Sequence, residues 1–110
     1  MTEAVSFPGA QDDFEEETGL DFSFIYALYE GGSGMPATVN DCASWADAIG
    51  DPNFPILADN TEKIAGATPL TQMTHPEMCA LSPELEIISC YSGHGSHQNC
   101  FNDIRAHAGL

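Results

Sequence analysis

Positive charge is almost missing from this sequence of 110 residues. One lysine and one arginine, Lys63 and Arg105, stand against 17 acidic residues, which gives a formal net charge of -15 at pH 7. Such a surface repels the phosphates of nucleic acids and of anionic lipids, so neither a nucleic acid nor a membrane is an expected partner. The charge is typical of a solvated acidic surface, one suited to a salty environment.

Long apolar runs are also missing, and none approaches the roughly 20 residues that a membrane-spanning helix needs. The N-terminus has no basic region followed by an apolar one, so no signal peptide is indicated and we expect a cytoplasmic protein. Hydrophobic residues make up 43% of the chain, which is enough to form one compact core. We predict a flexible end over residues 1–10, which contain Pro and Gly, and a single domain over residues 11–110.

Cysteine occurs at irregular spacings, and no pair forms a C-x-x-C motif; the four cysteines are Cys42, Cys79, Cys90 and Cys100. In a cytoplasmic protein we expect such cysteines to be reduced and partly buried rather than bridged. A reactive thiolate needs a nearby cation or a helix N-terminus, and this sequence offers few cations. Cys79, Cys90 and Cys100 are the weak candidates for thiol chemistry, and we predict no cofactor.

Apolar patterning predicts alternating strands and helices. Thr38 and Asp41 match a capping box that begins a helix ending near Ile49. Residues 11–18 fit either one or two helical turns or a solvated acidic run. The short connection at residues 82–85 predicts an antiparallel hairpin, and the strand–helix–strand order before it predicts a parallel pair. The predicted strands cover residues 21–29, 54–58, 77–81 and 86–91, and the other predicted helices cover residues 60–66 and 96–108.

In this order the sequence resembles the thioredoxin-like superfamily, in its redoxin, peroxiredoxin-like and thioredoxin-like reductase branches. The resemblance is carried by residues 22–30, by residues 45–67 with the run Asp51-Pro52-Asn53-Phe54-Pro55-Ile56-Leu57-Ala58-Asp59, by residues 75–81, and by residues 82–95 with the following helix. It implies an α/β three-layer sandwich with a mixed sheet of about four strands and flanking helices. It also implies an oxidoreductase family of cell redox homeostasis, acting on disulfides or peroxides with a protein or thiol partner.

The resemblance further implies a cis peptide bond before Pro76, with the backbone of His75 and Pro76 facing the substrate groove. The family begins with a strand and a cysteine motif at the N-terminus of a long helix, where the helix end activates the thiol. Residues 11–18 match only the last turns of that helix, and the strand and cysteine motif have no counterpart. The resemblance therefore implies a truncated domain without a competent cysteine motif, and leaves open whether the chain is an enzyme.

Two other roles compete with this interpretation. A sheet that has lost its first strand exposes an edge, which favours a non-catalytic domain that binds a partner or forms a homodimer by edge pairing. A small zinc-binding domain is the other, since two thiolates and two imidazoles suit zinc. Its ligands would be Cys90, His94, His97 and Cys100, but their spacing differs from that of common zinc fingers, so no metal is favoured.

Overall fold

The computed structural model describes residues 4–28, 30, 34–50, 52–59, 61, 63–68 and 77–110. His75 and Pro76 lie outside these residues, and so does the predicted cis bond. The chain divides into two compact units, Met1–Ile64 and Ala65–Leu110, where the sequence predicted one domain. None of the helices in the described residues is both long and apolar enough to cross a membrane.

The first unit begins with a helix that starts earlier than the sequence predicted. A short 3-10 helix, Ala4–Ser6, leads into α1, Phe7–Thr18, so residues 4–10 are helical rather than a loose end. Pro8 is compatible with helix because the N–H that proline lacks has no partner in a first helical turn. Gly19 ends α1 in the left-handed conformation at φ 72°, and its N–H donates to the Glu15 carbonyl.

Aromatic packing explains why the first strand is shorter than predicted. The strand β1 covers only Tyr26–Leu28. Phe22 and Phe24, which precede it, pack against α1 instead of extending the strand: the ring of Phe24 stacks on Phe7 at 4.7 Å, and that of Phe22 lies 4.9 Å from Phe14. These contacts form the centre of the first unit's core.

A parallel pair connected by a helix forms the remainder of the first unit, as predicted. The helix α2, Val39–Ile49, begins at the predicted capping box, where Thr38 and Asp41 each accept a hydrogen bond from the other's backbone N–H. The strand β2, Ile56–Ala58, then pairs in parallel with β1. A one-turn helix α3, Lys63–Gly66, follows, and the Asp59 carboxylate accepts a hydrogen bond from the Ile64 N–H.

The second unit is a hairpin packed against a helix. The strands β3, Glu77–Leu81, and β4, Ile87–Ser92, are antiparallel, and the helix α4 covers Ser96–His107. Phe101 of α4 is buried, whereas Ala108 lies just after the helix end and is exposed.

Both predicted pairings and the α/β class are confirmed. In the described residues the strands form two separate two-stranded sheets, β1–β2 and β3–β4. The single mixed sheet of a three-layer sandwich stays a prediction.

Candidate redox site

A disulfide joins the two strands of the hairpin. Cys79 on β3 lies directly opposite Cys90 on β4, their Cα atoms are 4.0 Å apart, and their sulfurs are bonded. Such a close approach is typical of an antiparallel pair that does not exchange backbone hydrogen bonds. The expectation of four reduced cysteines is therefore wrong for these two. Both residues are half-buried, so neither is enclosed in the core.

A bulge places the two cysteines opposite each other. At the turn end of the hairpin Leu81 pairs with Ile87, and continuing this register would place Cys79 opposite Ser89. The register shifts by one residue between Ala80 and Leu81, so that Ala80 pairs with Ser89 and Cys79 with Cys90. A one-residue shift also changes which side chains share a face.

The disulfide lies on the face of the hairpin that points away from α4. Ala80 is only 2% exposed, and Ser89 and Tyr91 contact Asp103 on α4, so these alternate residues face the helix. Since successive side chains of a strand point to opposite faces, Cys79 and Cys90 project from the other side.

The third candidate, Cys100, is a buried thiol on α4 and is 4% exposed. Burial, together with the neighbouring Asp103 carboxylate, raises the pKa of Cys100 to about 11. A thiol with such a pKa is almost wholly protonated at neutral pH and is a poor nucleophile. Burial and the adjacent Asp41 also raise the pKa of the other free thiol, Cys42.

A polar cluster at the centre of the hairpin–α4 contact was not predicted. The Ser89 hydroxyl donates to the Asp103 carboxylate at 2.6 Å, and the Tyr91 hydroxyl donates to the same oxygen. The hydrogen bonds from Ser89 and Tyr91 lower the pKa of Asp103, and the bond to Asp103 raises the pKa of Tyr91. The sequence does contain a signal for this cluster. Ser89 and Tyr91 alternate on β4, and Asp103 is the single acidic residue of the helix that follows.

The proposed zinc ligands do not form a binding site in the described residues. Cys90 is in the disulfide, and the described histidines, cysteines and acidic residues include no group of three or more able to hold a metal ion. The His97 ring packs edge-on against Phe101 at 5.9 Å, which is a contact within α4. The predicted groove residues, His75 and Pro76, lie outside the described part of the chain.

The hairpin carries acidic side chains and no cation. Residues 77–92 include Glu77, Glu84 and Glu86 but neither lysine nor arginine. Glu77 is the only acidic residue in either strand, and it precedes Cys79 by two positions, so both belong to the same face. Arg105 belongs to α4, which packs on the opposite face, and its guanidinium donates to the Asn102 side chain.

The first unit contains an apolar groove of about 270 Å³ between α2 and the segment that leads into β2. The Cys42 side chain forms part of its wall, and the other lining residues, Val39, Ala43, Ala46, Pro52, Phe54 and Ile56, are all apolar. The Cys42 thiol is the one titratable side chain among these lining residues, and its raised pKa makes it a poor nucleophile, so the disulfide is the better candidate site.

Comparison with known proteins identifies no relative. No family model matches the chain, and no curated protein and no solved structure is significantly similar to it.

Proposed function

We propose that this chain is a thioredoxin-related α/β domain that carries out thiol–disulfide exchange through the Cys79–Cys90 bridge. The order of the described elements supports the relationship: helix, strand, helix, parallel strand, one-turn helix, hairpin and final helix. This is the order expected from the resemblance, with α1 at the position of the family's first helix.

The observation that carries the proposal is the placement of the bridge. The disulfide joins adjacent strands, is half-buried rather than enclosed, and lies on the hairpin face opposite α4. Solvent-accessible disulfides are the ones that exchange most readily, whereas structural ones are usually protected. The remaining thiols, Cys42 and Cys100, are buried with raised pKa values and are unsuited to attack.

In the oxidised domain the disulfide is the electrophile. An incoming thiolate attacks one sulfur, the S–S bond breaks, and the other cysteine leaves as a thiolate while a mixed disulfide forms. A second thiolate attacks the partner's sulfur in this mixed disulfide and releases the first cysteine. Two thiols thus become one disulfide, the domain gains two electrons, and its two thiolates take up protons from water.

When the domain accepts electrons, its own cysteines do not have to initiate the attack, so the scarcity of cations in the sequence is not an obstacle. A cysteine that initiates attack needs a stabilised thiolate, for which the hairpin supplies no lysine or arginine. A disulfide that is attacked needs only access for the incoming thiolate, and the half-buried bridge supplies it. The proposed domain therefore works as an acceptor of electrons from thiols.

The proposal is tested with a reduced peptide that holds two cysteines, whose oxidation by the purified chain is followed over time. We expect the wild type to convert the peptide to its disulfide stoichiometrically, and the Cys79→Ala/Cys90→Ala double variant to be inactive. Cys42→Ala and Cys100→Ala are the matched controls and should retain the reaction. Equal oxidation by the wild type and the double variant would contradict the proposal.

A single substitution provides a second test, which stays informative if the double variant does not fold. In Cys90→Ala, the remaining Cys79 thiol should form a stable mixed disulfide with an activated aromatic disulfide, detected by mass spectrometry under native conditions. Circular dichroism establishes that the variant is folded. A folded Cys90→Ala chain whose Cys79 reacts only after denaturation would also contradict the proposal.

Dimerisation by edge pairing is a second candidate. In the described residues β1 pairs only with β2, and Leu57 of β2 is 43% exposed, which favours association of this short sheet. Light scattering over a range of protein concentrations tests it. A monomer at every concentration would exclude edge pairing without affecting the redox proposal.

A further inference from the structure

We infer that the Cys79–Cys90 bridge accepts electrons preferentially from cysteines in apolar peptide segments, which dock on exposed apolar side chains at the turn end of the hairpin. These side chains belong to Leu81, Leu85 and Ile87 and form the turn-end surface. The inference rests on the proposed thiol–disulfide exchange and adds the class of its partner. It concerns the surface beside the bridge, which the exchange reaction itself does not require.

Leu81 and Ile87 lie beside the bridge on the same face of the hairpin. Leu81 follows Cys79 by two positions on β3, and alternate residues of a strand share a face and are separated by roughly 7 Å. Ile87 pairs with Leu81 across the two strands, so it projects from that face as well. The two residues are 38% exposed for Leu81 and 44% exposed for Ile87, so an apolar group placed beside the bridge contacts both.

The bulge in the hairpin brings Ile87 to this face. In a regular strand Ile87 would share a face with Ser89 and Tyr91, which contact α4. The register shift between Ala80 and Leu81 makes Ile87 the partner of Leu81 instead, on the face away from the helix. An isoleucine that a regular strand would direct towards α4 is therefore exposed next to the disulfide. Bulges beside functional sites commonly redirect side chains in this way.

Leu85 adds an apolar side chain in a conformation that leucine rarely adopts. Its φ is 66°, and within the described part of the chain it is the one residue other than glycine with a positive φ. Its N–H donates to the Ser82 carbonyl at 2.9 Å, which closes the turn, and Leu85 is 71% exposed. The turn conformation favours glycine or asparagine, and burial does not account for a leucine here. Contact with an apolar partner does.

The partner is a different molecule that brings its own cysteine. The free thiols of this chain, Cys42 and Cys100, are buried, so a second copy in the oxidised state has no accessible thiol to offer the bridge. When an apolar segment of the partner lies on the turn-end surface, its thiolate attacks one sulfur of the bridge. A mixed disulfide forms, and the other cysteine of the bridge leaves as a thiolate. Apolar contact holds the thiol near the sulfurs and so raises the rate.

The test uses two uncharged peptides with capped ends, Leu-Ser-Cys and Ser-Ser-Cys. The rate at which excess peptide reduces the bridge is measured by quenched mass spectrometry and divided by the rate of the same peptide with a small uncharged disulfide. This ratio removes differences in intrinsic reactivity. We expect the normalised rate of the leucine peptide to exceed that of the serine peptide about fivefold, because its leucine loses contact with water on the turn-end surface.

Equal normalised rates of the two peptides would overturn this inference while leaving exchange intact. A folded bridge that neither peptide reduces would instead overturn the proposed function.

Two substitutions test the surface itself. Leu85→Asn removes the exposed leucine and suits the left-handed conformation, and Ile87→Thr keeps a β-branched residue in the strand, so both variants should fold. Each should lower the leucine-to-serine ratio towards one. Leu110→Asn is the matched control and should leave the ratio unchanged, because it removes a leucine that is 65% exposed and follows α4, the helix on the opposite face. An unchanged ratio in both surface variants, or an equal loss in the control, would overturn the inference.

Light scattering on the wild type and Leu85→Asn tests whether a second copy covers the same surface. We expect the substitution to leave the molar mass unchanged at every concentration. Association of the wild type that Leu85→Asn abolishes would make the turn-end surface an interface between copies and would contradict the inference.

Discussion

The Tyr91 hydroxyl donates a hydrogen bond to the Asp103 carboxylate and thereby connects β4 to α4. The Ser89 hydroxyl donates to the same oxygen, so one carboxylate holds two side chains of the hairpin. The bridge, on the opposite face, takes no part in this contact. The contact between β4 and α4 is therefore made by groups that are not part of the disulfide.

Acid should weaken this contact. The hydrogen bonds from Ser89 and Tyr91 place the folded-state pKa of Asp103 below its ordinary value of 3.8. The contact therefore stabilises the fold fully above that value, and its contribution is lost as pH falls through the folded-state pKa. We expect Asp103→Asn to lower the melting temperature at neutral pH and to differ less from wild type towards pH 3. A constant difference across this range would show that ionised Asp103 does not stabilise the fold.

Replacement of Gln11 should destabilise the first unit. Its buried side chain, 4% exposed, donates to the Asn53 carbonyl at 2.9 Å and accepts from the Phe24 N–H at 2.8 Å. Gln11→Ala leaves both backbone groups without this partner, so we expect a loss of about 2–4 kcal/mol in unfolding free energy. Urea denaturation measures it. Glu16→Gln, at an exposed position on the same helix, is the control and should stay within about 0.5 kcal/mol of wild type.

The free thiols should be unreactive in the folded chain. The pKa of Cys100, raised to about 11 from its ordinary 9.0, lowers the thiolate fraction at neutral pH about a hundredfold. Burial of Cys100 and Cys42 slows access further. We expect iodoacetamide to label both residues only slowly under native conditions and rapidly in urea, as read by peptide mass spectrometry. If Cys100 is labelled as fast under native conditions as in urea, its thiol is reactive in the folded chain and the prediction is wrong.

Salt should stabilise the fold. Seventeen acidic residues against two basic ones repel one another, and screening shortens the range of that repulsion from about 30 Å at 0.01 M to about 3 Å at 1 M salt. We expect the melting temperature to rise over this range by several degrees, equally in NaCl and KCl. Glu16→Lys, on the exposed side of α1, should raise stability at low salt and reduce the response. Destabilisation by salt would show that charge repulsion is not a main contribution to the stability of the fold.

Local signals explain what the sequence predicted correctly. The Thr38–Asp41 capping box marks the start of α2, and the bounds of β3 match the prediction, because an N-cap or an apolar strand is decided within a few residues. The start of α1 was missed because Pro8 and Gly9 are typical of loops, although proline is compatible with a first helical turn.

Tertiary context explains the remaining differences. Phe22 and Phe24 were assigned to a strand by their apolar character, but packing against α1 determines their conformation. The disulfide depends on a bulge after Ala80, and a one-residue change of register is not visible in the spacing of Cys79 and Cys90. The Asp103 cluster joins residues from a strand and a helix that only packing brings together.

The most direct test of the redox account is the equilibrium between the Cys79–Cys90 disulfide and its dithiol. The intact chain is equilibrated in buffers of increasing ratio of reduced to oxidised glutathione, quenched by alkylation and analysed by mass spectrometry, with circular dichroism recorded on parallel samples. We expect a reversible two-electron transition within the range spanned by thiol–disulfide enzymes, about -120 to -270 mV, with the native spectrum retained throughout. A bridge that stays oxidised until the chain unfolds would be structural and would contradict the account.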